Sequence, residues 1–291
     1  MNSALTPLSA HAKDLGGGVI IERYLPHLPR PKVGPFVFFD YLPRIEFAAG
    51  TGTDVRPHPH IGLSTLSYLF EGRMHHRDSL DYDLVLEPGD VLLMTSGKGI
   101  VHSERTPQAD RTQPHRIHMV QFWLALPEQE EQVDPWVAHA VKADLPVWDI
   151  QAGLSARLAI GEALGNKAPV SCSLNPFLVD FEAQQAGAWT LKTDQRESSF
   201  FLVAGELKIG EASYSAPCFL VAEPEQSFEI RYSEQARWLW LGGDPLDSPR
   251  ILWWNLVASK QELIDAAKEK WLKGEFEGVK GDSEFIPLPV S

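Results

Sequence analysis

The stretch that decides the fold runs from Arg56 to Glu104. It opens Arg56-Pro57-His58-Pro59-His60-Ile61-Gly62 and closes Gly97-Lys98-Gly99-Ile100-Val101-His102-Ser103-Glu104. At each end two potential metal ligands sit at i and i+2, a spacing that points both side chains to one face of an extended strand. Between them, Leu66-Ser67-Tyr68-Leu69-Phe70 runs into Glu71-Gly72, and Leu84-Val85-Leu86 runs into Pro88-Gly89 before Val91-Leu92-Leu93-Met94. Short apolar strands punctuated by glycine turns return the chain to its start. If the first and last strands lie side by side, His58, His60, His102 and Glu104 converge on one interior point.

Three imidazoles and a carboxylate form a thiolate-free donor set. It suits iron, manganese, nickel, copper or cobalt better than a closed structural zinc site. Four protein ligands leave room on an octahedral ion for water, dioxygen or a bidentate substrate. All ten histidines lie at or before His139, so any metal chemistry belongs to the N-terminal half.

The same residues carry a family resemblance. The Arg56–Gly62 segment, Met94-Thr95-Ser96-Gly97-Lys98-Gly99-Ile100-Val101-His102-Ser103-Glu104, and Gln121-Phe122-Trp123-Leu124-Ala125-Leu126-Pro127 resemble, in this order, the signature of the pirin family within the cupin superfamily. The upstream Gly34-Pro35-Phe36-Val37-Phe38-Phe39-Asp40 resembles the family's opening. The resemblance implies an all-β bicupin: two jelly-roll β-barrels packed together, only the first holding a divalent metal, Fe(II) foremost, with Ni, Cu, Mn, Co or Zn as alternatives. It also implies an activity. Some members are reported to cleave the flavonol quercetin with dioxygen, with Glu104 here in the place of the proton acceptor; others act as regulators, so the alternative is a metal-dependent redox sensor or protein-binding adaptor without turnover. His76 matches the family's Gly-X-X-X-His-X-Asp-Ser pattern through Gly72 and Asp78-Ser79, and is the candidate for a side chain standing behind the ligands. The segment Leu252-Trp253-Trp254-Asn255-Leu256 departs from the family pattern, which has a Gly-Pro-Phe-type entry to the last helix.

The remaining sequence sets further expectations. With 291 residues, 44% hydrophobic and 22% charged, the chain is long enough for two modest domains, drawn at 1–147 and 148–291. From about Asp149 a second unit repeats the first in weakened form: Phe200–Leu207 aligns by pattern with Ser67–Met74, and Leu191 and Thr193 stand where the counterparts of His58 and His60 would fall. The second barrel is therefore expected to be metal-free. Residues 1–16 read as a mobile lead, and Gly16-Gly17-Gly18 then gives way to the apolar strand Val19-Ile20-Ile21. Residues 44–55 show no period, and Glu128-Gln129-Glu130-Glu131 reads as a solvated acidic turn. Ser259-Lys260-Gln261-Glu262 reads as a capping box opening a helix with Leu263, Ile264, Ala267 and Trp271 on one face and Gly274 as its stop.

The balance of 26 basic and 39 acidic residues gives a formal charge of −13, which disfavours nucleic acid and anionic membranes. No apolar run reaches the roughly 18 residues of a membrane span, and the start lacks a secretory pattern. Cys172 and Cys218 are too few for a disulfide framework and read as buried reduced thiols. A cytoplasmic monomer with a small aromatic substrate is the expectation.

Overall fold

The computed structural model describes residues 5–15 and 19–289. The chain divides into two compact units. One comprises residues 24–37 and 143–245 with the chain's start; the other comprises 12–23, 38–142 and 246–291. Residues 246–289, including the C-terminal helix, group with the histidine-bearing unit.

Each unit is a β-barrel of two antiparallel sheets, the jelly-roll architecture expected of a cupin. In the unit carrying the histidines, one sheet has the order Trp136–Ala140, Val91–Thr95, Leu63–Glu71, His115–Ala125, Phe36–Phe47, Ile20–Leu25, His11–Asp14. The smaller sheet has the order Asp54–His60, Ile100–Arg105, Met74–Asp78, Asp83–Leu86. Strand Leu63–Glu71 is buried along all but its last residue, as its unbroken apolar and small-polar sequence requires. Its polar members are paired internally: Ser64 with Thr95 at 2.7 Å, while Ser96 donates to the Leu63 carbonyl at 2.6 Å. Leu69, Met74, Leu86, Leu92, Ile117 and Met119 fill the space at one end of this barrel.

The other unit pairs Leu5–Leu8, Cys218–Ala222, Glu197–Ala204, Arg237–Gly243, Phe177–Ala183, Leu154–Ala163 and Val147–Gln151 in one sheet. Gly187–Lys192, Ser227–Tyr232, Glu206–Ile209 and Ala212–Ser215 form the second. Its interior is aromatic and aliphatic, with Phe177, Phe181, Phe200, Trp238 and Trp240 at the centre. Leu191, at the position corresponding to His58, is fully buried there.

Three local expectations change. The described part of the expected mobile lead is ordered strand: Leu5–Leu8 pairs antiparallel with Cys218–Ala222, a non-local partner that local composition does not reveal. Gly16-Gly17-Gly18 lies outside the described residues. The strand entered at Phe36 continues to Phe47 through the aperiodic residues. Cys172 and Cys218 are half-buried rather than buried.

The helix Gln261–Leu272 buries Ile264 and Ala267 against Ile61, Leu256 and Ala258. Gly274, at φ +67°, ends it with its N–H donating to the Trp271 carbonyl. The capping box does not form. Lys260 occupies the N-cap without a side-chain bond, because the Ser259 hydroxyl donates instead to Glu131 at 2.7 Å. Glu131 is in turn not solvated. It is 2% exposed and pairs with an equally buried Arg250 at 3.1 Å.

Candidate metal centre

Strands Asp54–His60 and Ile100–Arg105 pair antiparallel, with His58 opposite His102 and His60 opposite Ile100. The side chains of His58, His60 and His102 are all within 5% of full burial. Their ring centroids lie 4.4 Å (His58 to His102), 4.9 Å (His58 to His60) and 5.0 Å (His60 to His102) apart. One ligand nitrogen from each lies within 4.8 Å of the others. Trp123, from the facing sheet, stands edge-on to His60 at 5.2 Å.

The register beyond this point slips by one residue: His102 faces His58, yet Glu104 faces Val55. The extra residue lies at Arg56-Pro57, where proline has no N–H for the ladder, and bulges are where strands accept proline. The bulge turns the Arg56 carbonyl to accept from His58 Nδ1 at 2.9 Å. His60 Nδ1 is held likewise by the Asn255 carbonyl at 2.8 Å. With Nδ1 donating in both rings, each Nε2 keeps its lone pair for an ion.

Asn255 sits in the two-residue turn between Ile251–Trp253 and Leu256–Ala258. Its neighbour Trp254 has φ +52°, a left-handed conformation that is an outlier for so bulky a residue. That turn is the segment departing from the family pattern, and it aims a carbonyl at His60. A main-chain oxygen carries no residue-type signal, so the sequence could not disclose it.

Glu104 shares His102 with a second group: one ligand atom each of His76, His102 and Glu104 also lie within 4.8 Å of one another. Glu104 Oε1 accepts from Gln121 Nε2 at 2.7 Å and from Ser67 Oγ at 3.5 Å. Gln121 went unassigned in the sequence, although a polar residue within an apolar strand was the available signal. His76, behind His102, is 1% exposed. His75 is bonded to Asp83 at 2.6 Å on the outer face. His115 stacks on Phe47 and His118 contacts Tyr41 at 3.0 Å, both away from the cluster.

The chemistry of this donor set fits a divalent ion. His102 Nε2 is buried and has no hydrogen-bond partner among the described residues; a bound cation would satisfy an atom that is otherwise costly to bury. Burial lowers the pKa of all three rings. For His102 and His60 it falls well below the ordinary 6.5, reinforced by the neighbouring imidazoles. For His58, Arg56 and Glu104 partly oppose the effect of burial. Neutral rings are the metal-binding form.

A pH dependence follows. These rings are neutral when folded and take up protons near 6.5 when unfolded, so their contribution to stability is intact above that value and is lost as pH falls below it. Each contributes a slope of up to about 1.4 kcal/mol per pH unit. Urea unfolding of metal-free protein at about pH 7.5 and about pH 5.5 is expected to give markedly lower stability at the acid value; equal stability would refute the assignment.

The chain matches the family model described as Pirin over residues 19–124 and that described as Pirin C-terminal cupin domain over residues 178–277. It is 38% identical over 284 residues to a pirin-like protein of Caulobacter vibrioides, covering 96% of this chain and 97% of that one. A crystal structure of quercetin 2,3-dioxygenase from Acinetobacter baumannii superposes with a TM-score of 0.91 at 31% identity, covering 99% of this chain and 95% of that one. Bacterial pirin YhhW from Escherichia coli, solved in complex with nickel(II), shares the fold, with a TM-score of 0.65 at 19% identity over 83% of this chain and all of that one. The two matched domains and the full-length relative agree: the chain belongs to the pirin family of bicupin proteins.

Proposed function

We propose that this protein is a metal-dependent dioxygenase acting on a flavonol or a similar 3-hydroxy-ketone, with Fe(II) as the favoured ion. The observation that carries the reading is the convergence of three neutral imidazoles beside a positioned carboxylate. The structural relative named as a quercetin 2,3-dioxygenase supports the choice of reaction.

His58, His60 and His102 would hold the ion, with Glu104 completing the set. A bound divalent ion supplies Lewis-acid polarisation of the hydroxy-ketone and a meeting point for it and dioxygen. Glu104 takes the proton of the substrate hydroxyl. Gln121 and Ser67 both donate to Glu104 Oε1 and so fix the carboxylate, and Trp123 offers an aromatic wall beside His60. Ring opening of quercetin places both oxygen atoms of dioxygen in the ester product and expels one carbon as carbon monoxide, so no external reductant enters. A chain with two cysteines, too few for a disulfide framework, fits a reducing compartment, the cytoplasm.

The test is metal content by elemental analysis with oxygen uptake and flavonol absorbance loss on quercetin. Glu104→Gln keeps the three imidazoles and is expected to lower turnover roughly 10²- to 10⁴-fold, the range of a lost general base. Stoichiometric metal without oxygen uptake across several flavonols would overturn the enzymatic reading in favour of a metal-dependent partner protein.

A further inference from the structure

Two of the three imidazoles are fixed by main-chain carbonyls, Arg56 for His58 and Asn255 for His60. The third is fixed differently. His102 Nδ1 faces His76 Nδ1 at 3.5 Å, and His76 Nε2 faces Asp78 Oδ2 at 2.9 Å. Asp78 is itself clamped, its Oδ1 accepting from the N–H groups of Leu80 at 2.8 Å and Tyr82 at 3.2 Å. His76, Asp78 and His102 are each 1% exposed, so water does not compete along the chain.

With both rings neutral, donor and acceptor arithmetic gives one consistent set of proton positions. The Asp78 carboxylate only accepts, so His76 Nε2 carries the hydrogen. A neutral ring with a protonated Nε2 has a bare Nδ1, and that atom accepts from His102 Nδ1–H. His102 Nε2 is left bare, and it is the buried atom without a partner.

We propose that Asp78 and His76 are a positioning pair that sets the tautomer of His102. The metal affinity of the site is thereby governed by a carboxylate two residues of contact away from the ion. This rests on the reading of His102 as a ligand. The pair touches neither substrate nor metal, and it differs from the other two outer contacts in being made of side chains, which substitution can reverse.

Asp78→Asn reverses it. The introduced amide keeps its oxygen on the Leu80 and Tyr82 N–H groups and turns its NH₂ toward His76. His76 Nε2 must then accept, its hydrogen moves to Nδ1, and His102 Nδ1 must give up its own, leaving Nε2–H aimed at the ion. His76→Gln, by contrast, retains an acceptor oxygen for His102 Nδ1–H, and His76→Leu does not.

The experiment uses the full chain, metal-free and ¹⁵N-labelled, with the histidine tautomers read from long-range ¹H–¹⁵N correlations. Nickel(II) affinity is then measured by chelator competition. His102 is expected to carry its hydrogen on Nδ1 in the wild type and His76→Gln, and on Nε2 in Asp78→Asn. Nickel binding should weaken roughly 10- to 100-fold in Asp78→Asn and His76→Leu, the scale of outer-contact substitutions, and recover toward wild type in His76→Gln. Thermal unfolding of the metal-free variants controls for misfolding.

An unchanged His102 tautomer in Asp78→Asn overturns the proposal whatever nickel does. So do two equivalents of nickel in the wild type with one lost in His76→Gln, since His76 would then be a ligand in the cluster with Glu104. An inverted tautomer with no nickel bound even by the wild type supports the coupling and overturns the metal reading instead.

Discussion

His60→Ala is expected to abolish retention of a divalent ion. His60 supplies one of three convergent nitrogens, and its neighbour on the far side, Trp123, has no atom that could take its place. The loss should exceed the roughly 100-fold reached by changes to outer contacts. The metal-free variant loses less. Asn255 forfeits the donor to its carbonyl, and a small void opens, together about 1–3 kcal/mol. The two effects separate in one thermal-shift experiment. Ion at about a thousand times its Kd stabilises a binding protein by about 4 kcal/mol, so wild type should gain a large shift on metal addition and the variant none. Stoichiometric metal in dialysed His60→Ala protein would remove His60 from the ligand set.

What the sequence disclosed and what it hid divide along one physical line. His58, His60 and His102 were legible because alternation along a strand is a local property, fixed by backbone geometry before any partner is chosen. Glu104 was legible as the fourth polar residue at the site, but its grouping with His76 was not, since that depends on the pairing of Ile100–Arg105 with Met74–Asp78 rather than on either segment alone. The pairing of Leu5–Leu8 with Cys218–Ala222 and the grouping of residues 246–289 with the histidine-bearing unit were hidden for the same reason. Both depend on contacts distant in sequence. Ser259-Lys260-Gln261-Glu262 had the local signature of a capping box, and a buried carboxylate from elsewhere in the chain outcompeted it for the serine hydroxyl.

That carboxylate carries the second large effect. Glu131→Ala is expected to destabilise the metal-ligand unit by about 3–5 kcal/mol, the cost of leaving one charge of a buried pair without its partner. Glu131 accepts from Ser259 N and Ser259 Oγ, each at 2.7 Å, and is ion-paired with Arg250, whose Nε lies 3.1 Å away. Arg250 also donates to the Leu126 carbonyl at 2.7 Å and to Asp247 at 2.6 Å. Arg250 and Ser259 flank the hairpin whose turn holds Asn255, so one side chain from the barrel ties both feet of the element that orients His60. Loss of stability should therefore come with loss of metal affinity, on the order of 10-fold or more as the Asn255 carbonyl loosens. Denaturant unfolding of the metal-free variants measures the first effect and chelator competition the second. The double variant Glu131→Leu with Arg250→Met removes both charges together, and should be destabilised by less than the sum of the single changes. A Glu131→Ala protein within about 0.5 kcal/mol of wild type, the range of an ordinary surface substitution, would mean that the acidic run is solvated after all and that the hairpin over His60 is held by its apolar contacts alone.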